Sequence, residues 1–197
     1  ADLINLGSDL IVEVGDPVVL IPSLIHKYKC SALFLNKDYE KYAKNRDKKI
    51  FDELQKNNIE TYKYKDQVIF EEKEILTQNN NPYTVFTPYK NNHLKKIFNE
   101  GITQFNCDAY KVNLAKFKNR PLQSLKEIGF EKTNISSMNL PLGTQGGIAL
   151  IKDFKTRIEN YNYNRNFPGV KGVSYLSVHN RFGTVSIRHL AKIALEH

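Results

Sequence analysis

The sequence predicts an α/β fold, in which a parallel sheet with flanking helices is followed by a connector and then by helices alone. Three short apolar segments, Ser8–Val14, Ser31–Asn36 and Ile59–Tyr64, alternate with segments of helical periodicity. From Gly146 onwards, apolar residues recur only at helical spacing. Strands that are joined by helices pair in parallel through right-handed crossovers, so the first part should form a layered sheet-and-helix unit.

Each element of the α/β part has its own local signal. Ser8–Val14 alternates apolar and polar residues, which is typical of a strand. Asp16 is placed to cap the helix that follows, and Pro17 suits its first position. The remaining predicted elements are a helix to about Lys29, a strand over Ser31–Asn36, a helix over Asp38–Asn57, a strand over Ile59–Tyr64 and a helix over Tyr89–Asn99.

Arg46 and Asp47 are adjacent inside the Asp38–Asn57 helix. Because consecutive residues do not face each other on a helix, we expect these two side chains to serve different partners. We interpret both as packing and pairing residues of the α/β part.

Periodicity weakens between Gly101 and Thr144, which predicts a connector with one short helix over Pro121–Ile128. Helical spacing then returns and continues through a single predicted buried face. A last helix is predicted over Val185–Leu195, capped by Thr184 or Ser186. The residues of the buried face are Ala149, Leu150, Phe154, Ile158 and Tyr161.

The composition, 41% hydrophobic and 25% charged, is that of a soluble globular protein, and no apolar run is long enough to span a membrane. No signal peptide is visible, and Cys30 and Cys107 stand in no metal or redox spacing, so we expect a cytoplasmic protein with reduced thiols and no metal. The net charge of +8 fits a polyanion partner and, equally, a lysine-rich composition without one.

Three motifs occur in one order along the chain. Gly15–Leu54 contains a Gly-x-Pro turn and an N-x-D-Y-x-x-x-x-x-x-R-D helix, and Asn79–Lys90 reads NNNPYTVFTPYK. Gly146–Arg188 carries Y-x-x-x-R-N-x-P, then G-V-S-Y-L-S, then R-F-G-T-V-S-I-R. All three resemble segments of the DNA photolyase and cryptochrome family.

The resemblance implies a partial Rossmann-like parallel sheet over residues 1–104, an interdomain connector over 105–144 and the first helices of an all-α domain that binds FAD over 145–194. Residues 195–197 resemble the remnant of a C-terminal tag. The family's first strand and its electron-transfer tryptophans are missing, so we expect a piece of a longer protein that is inactive alone. An uncovered sheet would favour self-association of this piece.

The resemblance also assigns site residues. It places Tyr161, Val173, Ser174, Leu176 and Ser177 against the diphosphate and ribityl part of FAD, and Arg165 on a phosphate of damaged DNA. Gly172 permits a tight turn whose amides and hydroxyls suit a diphosphate. The family's usual threonine is Val173 here, and Tyr175 stands where arginine or lysine is common. No residue of the chain is assigned a catalytic role.

The activity implied for the parent protein is light-driven splitting of pyrimidine dimers in DNA by an electron from reduced FAD. Two alternatives stay open. One is a cryptochrome, which signals in blue light with the same fold, and the other is a nucleotide-binding or nucleic-acid-binding module without enzymatic activity. An antenna chromophore of the folate or flavin type is also implied, and its identity stays open because Asn79–Asn81 offers no carboxylate to a pterin ring.

Overall fold

The computed structural model of the chain describes residues 2–117 and 122–197. These residues form two compact units, each discontinuous in sequence. The first unit consists of the described parts of Ala1–Asp66 and Phe105–Thr133, and the second consists of Gln67–Gln104 and Asn134–His197.

The first unit is a small α/β structure around a two-stranded parallel sheet. Strands β1 and β2 pair with Ala32 opposite Glu60 and Asn36 opposite Tyr64. Helix α3 connects the two strands and helix α2 packs against α3, so the predicted strand-helix-strand arrangement is confirmed. The elements of this unit are α1 (Asp2–Asn5), α2 (Pro17–Lys27), β1 (Ala32–Asn36), α3 (Lys41–Lys56), β2 (Glu60–Tyr64) and a 3-10 turn (Asp108–Asn113).

Helix α2 begins where the sequence predicts. The Asp16 side chain caps it, with Oδ1 accepting a hydrogen bond from the Val18 amide at 2.9 Å, and Pro17 occupies the first turn. The cap satisfies one of the amides that a helix start leaves without a partner in the helix.

The core of the first unit lies between the sheet and helices α2 and α3. Ile25, Ile50 and Leu54 are buried together, and Leu54 is only 1% exposed. Burying a leucine side chain contributes about 1.5–3 kcal/mol to folding. The surrounding half-buried residues are Val18, Ile21, Leu33 and Ile59.

The predicted strand over Ser8–Val14 is wrong. This segment forms no regular element, and within residues 2–117 and 122–197 strand β1 pairs with β2 alone. Its alternating residues Leu10, Val12 and Val14 are all exposed. A strand needs the backbone groups of a neighbour, and alternation in the sequence does not supply one.

The prediction that Arg46 and Asp47 serve different partners is also wrong. Arg46 Nε and Nη2 donate to Asp47 Oδ1 at 2.8 and 2.7 Å. Asp47 is buried, and the flexible arginine side chain brings its guanidinium to the carboxylate of the adjacent residue. The rule for helix neighbours therefore does not exclude an ion pair when one side chain is as long as that of arginine.

The second unit is helical. Its core consists of Ile151, Leu176 and Ile193. Ile151 and Ile193 belong to two helices, and Leu176 lies in a turn between them. The elements are α4 (Phe86–Glu100), a 3-10 turn (Asn134–Met138), α5 (Gly143–Lys155), a 3-10 turn (Ile158–Asn160), α6 (Tyr161–Asn164), α7 (Ser177–Phe182) and α8 (Ile187–Glu196).

The continuous buried face predicted up to Tyr161 does not form, because α5 ends at Lys155 and both Ala149 and Tyr161 are exposed. The Thr156 hydroxyl donates to the Asp153 carbonyl at 2.8 Å, an alternative to helix continuation. The helix predicted over Pro121–Ile128 also fails: Pro121 lies outside the described residues, and the rest contains only turns. Helix α8 begins after Ser186, one of the two predicted caps, although without a side-chain capping bond.

Candidate functional site

The Gly172–Ser177 turn lies between α6 and α7 and is fixed at its first residue by close packing. A Cβ atom on Gly172 would lie 2.6 Å from both the carbonyl carbon and the oxygen of Asn164. Backbone atoms cannot yield as a flexible side chain would, so only glycine fits here. The contact brings the turn against the end of α6, where Arg165 follows.

The predicted ligand residues of the turn differ in exposure. Ser174 is half-buried and its Oγ accepts a long hydrogen bond, 3.5 Å, from the Leu176 amide. Ser177 and Val173 are exposed, whereas the Leu176 side chain is 4% exposed in the core of the second unit. Leu176 therefore anchors the turn through its side chain, and only its backbone is available to a ligand.

Tyr161 and Arg165 lie on one face of the chain at α6, as their spacing predicts. The Arg165 guanidinium carbon lies 5.7 Å from the centre of the Tyr161 ring. The Tyr161 ring in turn meets the Phe154 ring edge-on at 5.8 Å. Arg165 is exposed, so its guanidinium is accessible to an anion from solvent.

Three charged residues beside the turn were missed from the sequence. Arg157 Nη1 donates to the Lys171 carbonyl at 2.8 Å, and Nη2 donates to Asp153 Oδ2 at 3.0 Å. Lys171 Nζ donates to Asp153 Oδ1 at 2.7 Å. The sequence could have predicted one of these contacts, because Asp153 and Arg157 stand at the i,i+4 spacing of a helical ion pair. The contacts to Lys171 span 14 and 18 residues and have no such signal.

The Asp153 carboxylate is held in its charged form by these neighbours. Its hydrogen bonds from Lys171 and then from Arg157 lower the pKa below the usual 3.8. The site therefore contains a paired carboxylate beside the turn. Lys171, the residue before Gly172, stands at the entrance of the turn.

A pocket of about 490 Å³ lies in the first unit where α2 begins. It is lined by the start of α2, which contributes the Asp16 carboxylate, and by one side of α3. The α3 side contributes the Tyr42 ring, the Asn45 amide, the Lys49 ammonium group and Arg46, whose guanidinium is paired with Asp47. Its size and its mixture of aromatic, amide and cationic groups suit a polar aromatic ligand.

Within the two described ranges, no three His, Cys, Asp or Glu side chains are grouped to hold a metal ion. No helix in the same residues is long and apolar enough to cross a membrane.

Comparisons with known proteins agree with this architecture. A model of the DNA photolyase family matches residues 1–107. The deoxyribodipyrimidine photo-lyase of Halobacterium salinarum is 28% identical over 192 residues, which covers 96% of this chain and 40% of the relative. A class III photolyase from Agrobacterium tumefaciens superposes with a TM-score of 0.80 at 21% identity over 97% of this chain and 40% of its own. A Synechocystis cryptochrome superposes with a TM-score of 0.76 at 18% identity over 96% of this chain and 40% of its own.

A parallel sheet with flanking helices and a Gly-Val-Ser-Tyr-Leu-Ser turn are features that the photolyase resemblance implies. The family match covers more than half of the chain, which belongs to the DNA photolyase family. The two solved structures establish the shared fold. The chain spans about 40% of the length of each of these three relatives.

Proposed function

We propose that this chain is the flavin-diphosphate-binding part of a deoxyribodipyrimidine photolyase, and that the parent protein repairs pyrimidine dimers in DNA with light. Membership of the family and the curated relatives of that name support the activity. The observation that carries the site is the Gly172–Ser177 turn, where a glycine packed on Asn164 leads into two serine hydroxyls. Residues 145–194 would then begin the flavin-binding domain.

The residues present fit the diphosphate of FAD. Ser174 and Ser177 offer hydroxyl donors, Leu176 offers its amide, and Lys171 places an ammonium group at the entrance of the turn. Val173 offers its backbone only, so this site has one hydroxyl fewer than the family pattern. Tyr161 would flank the ribityl part, and Phe154 supports its ring edge-on.

When bound, FAD supplies light-driven one-electron donation, whose acceptor in this family is a pyrimidine dimer that has left the base stack. The residues of this chain would bind and orient FAD and the damaged DNA strand. Arg165 would grip a phosphate of the damaged strand, because a planar guanidinium suits two phosphate oxygens and this one is exposed. No residue of this chain is proposed to transfer a proton or an electron.

The test is an equilibrium titration of the purified chain with FAD, in which the quenching of flavin fluorescence reports binding. We expect saturable binding that weakens at least tenfold in the double variant Ser174→Ala and Ser177→Ala. The matched control replaces two exposed serines elsewhere, Ser23→Ala and Ser186→Ala, and should bind as the parent does. Equal affinities for the two double variants would contradict the assignment of the turn.

The same titration addresses the alternatives. A nucleotide-binding or nucleic-acid-binding module that uses no flavin would bind FAD no more tightly than ADP, and the parent protein would retain no flavin even after reconstitution. A cryptochrome would bind FAD as a photolyase does, and the parent protein would then show no preference for DNA that contains pyrimidine dimers.

The pocket at the start of α2 is our candidate for the antenna chromophore, and Lys49 in its lining suits the phosphate of a flavin-type ligand. FMN should bind there, and Lys49→Gln should weaken its binding. Lys48→Gln removes the same charge from an exposed neighbour outside the pocket lining and should leave FMN binding unchanged. Loss of FMN binding in both variants to the same degree would indicate general charge attraction instead.

Two further proposals concern the state of the protein. The cysteines Cys30 and Cys107 are exposed and unbridged, which fits a reducing compartment, and we place the protein in the cytoplasm. We also propose that the chain associates with itself through its sheet.

A further inference from the structure

One guanidinium group contacts both the entrance and the middle of the candidate diphosphate turn. Arg157 Nη1 donates to the carbonyl of Lys171, the residue before Gly172, at 2.8 Å. The same guanidinium carbon lies 5.8 Å from the centre of the Tyr175 ring and 5.2 Å from that of Phe154. Arg157 thus connects the turn to α5, the helix that contributes Ile151 to the core.

Asp153 fixes the orientation of this guanidinium. Its two carboxylate oxygens accept separately, Oδ2 from Arg157 Nη2 at 3.0 Å and Oδ1 from Lys171 Nζ at 2.7 Å. The Arg157 side chain is 15% exposed, so little solvent reaches the guanidinium. Two directed bonds and two aromatic rings within about 6 Å leave the planar group few alternative positions.

The turn needs such an external support because its own backbone is unfavourable. Tyr175 has φ of 57°, in the left-handed region that a bulky residue rarely adopts. The bond from the Leu176 amide to Ser174 Oγ is long, 3.5 Å. Strained backbone persists where the surroundings determine it, and here Arg157 contacts the strained residue itself.

We infer that Arg157 is a positioning residue for the dinucleotide: it holds Lys171 and Tyr175 so that the hydroxyls of Ser174 and Ser177 face the diphosphate. This inference rests on the proposed function for its ligand and on the contacts above for its mechanism. Lysine cannot substitute, because an ammonium group lacks the planar fork that bonds a carbonyl and a carboxylate at once and stacks on rings.

The test compares Arg157→Lys and Arg157→Gln with the control Arg181→Gln, which removes an exposed charge from α7. Backbone ¹⁵N relaxation and amide hydrogen exchange are measured by NMR on the 197-residue chain without any ligand. We expect the order parameters of the amides from Val173 to Ser177 to fall in both Arg157 variants and to stay at the parent's values in the control. The core amides of Ile151 and Ile193 should keep their protection.

Ligand selectivity gives the second readout. FAD and ADP, which carry a diphosphate, should bind at least tenfold more weakly to both Arg157 variants, whereas riboflavin, which has none, should bind as before. A general loss of structure would weaken all three and expose the core amides, and this result would overturn the inference. So would order parameters of the turn that are unchanged in Arg157→Lys.

Failure of the proposed function has a different signature. If the parent chain binds neither FAD nor ADP while the turn still loosens in both Arg157 variants, Arg157 holds the turn and the cofactor assignment fails. If the parent binds FAD and the mobility of the turn is unchanged in the Arg157 variants, the cofactor assignment stands and the positioning role fails.

Discussion

A single residue, Gly172, determines whether the candidate turn can pack against α6. The alanine variant would place Cβ at 2.6 Å from the Asn164 carbonyl, and a clash with backbone costs about 1–3 kcal/mol. Gly169→Ala is the matched control, because nothing lies within 4 Å of a Cβ at that position. We predict that urea unfolding of Gly172→Ala shifts to lower concentration and that the control does not. Equal midpoints would show that the turn does not pack on Asn164.

Asp153 should make the stability of the second unit depend on pH in the acid range. Its pKa lies below 3.8 when folded, because of Lys171 first and Arg157 second. The unfolded chain therefore binds more protons at acid pH, and the stabilisation from this group is complete well above pH 3.8 and is lost as the pH falls through the folded pKa. The unfolding free energy of the parent should exceed that of Asp153→Asn at pH 7, and the two should converge in acid.

Asp52→Asn removes the same charge from an exposed position of α3 and serves as the control for this comparison. An exposed substitution of this kind should change the unfolding free energy by less than about 0.5 kcal/mol at pH 7. A difference between parent and Asp153→Asn that stays constant down to acid pH would contradict the ion-pair network.

At the scale of elements, the two best-defined helix starts give a direct comparison of capping. Asp16 accepts a bond from the Val18 amide, whereas Ser186, the cap of α8, makes no side-chain bond. Replacing a bonded cap by alanine costs about 0.5–2 kcal/mol. Asp16→Ala should therefore accelerate amide exchange in α2, near Ile25, more than Ser186→Ala does in α8, near Ile193. The reverse order would contradict the capping geometry.

The same elements show what the sequence can predict. The cap at Asp16, both strands of the sheet and helices α2, α3, α4 and α8 follow from local periodicity and turn chemistry, which act within a few residues. Ser8–Val14 has the strand pattern but no pairing partner among the described residues. Its failure is a matter of long-range pairing, which alternation of side chains does not encode.

The candidate site also contains residues that local sequence patterns predict and one that depends on long-range contacts. The turn and the pair Tyr161 and Arg165 were predicted because their motif is contiguous and their spacing is one helical turn. Arg157 was missed because its role depends on the Lys171 carbonyl, 14 residues away, and on the Tyr175 ring. A backbone carbonyl has no signature in the sequence, so positioning residues of this kind emerge only from the fold.

At the scale of the whole molecule, the sheet of the first unit presents three aromatic rings to solvent. The Phe34 ring stacks on Tyr62 at 4.7 Å and on Tyr64 at 6.3 Å, nearly parallel to both. Phe34 is 63% exposed and Tyr64 is 52% exposed. Exposed aromatic surface beside strand edges is a known basis for association between chains.

We predict that sedimentation of the chain reveals concentration-dependent self-association through this face. The double variant Phe34→Ser and Tyr64→Ser should weaken association at least tenfold, and Phe98→Ser, which changes an equally exposed ring of α4, should not. The net charge of +8 opposes contact between copies, and added salt screens that repulsion. Association should therefore strengthen with salt, whereas weakening would indicate contacts between opposite charges and would contradict the aromatic interface.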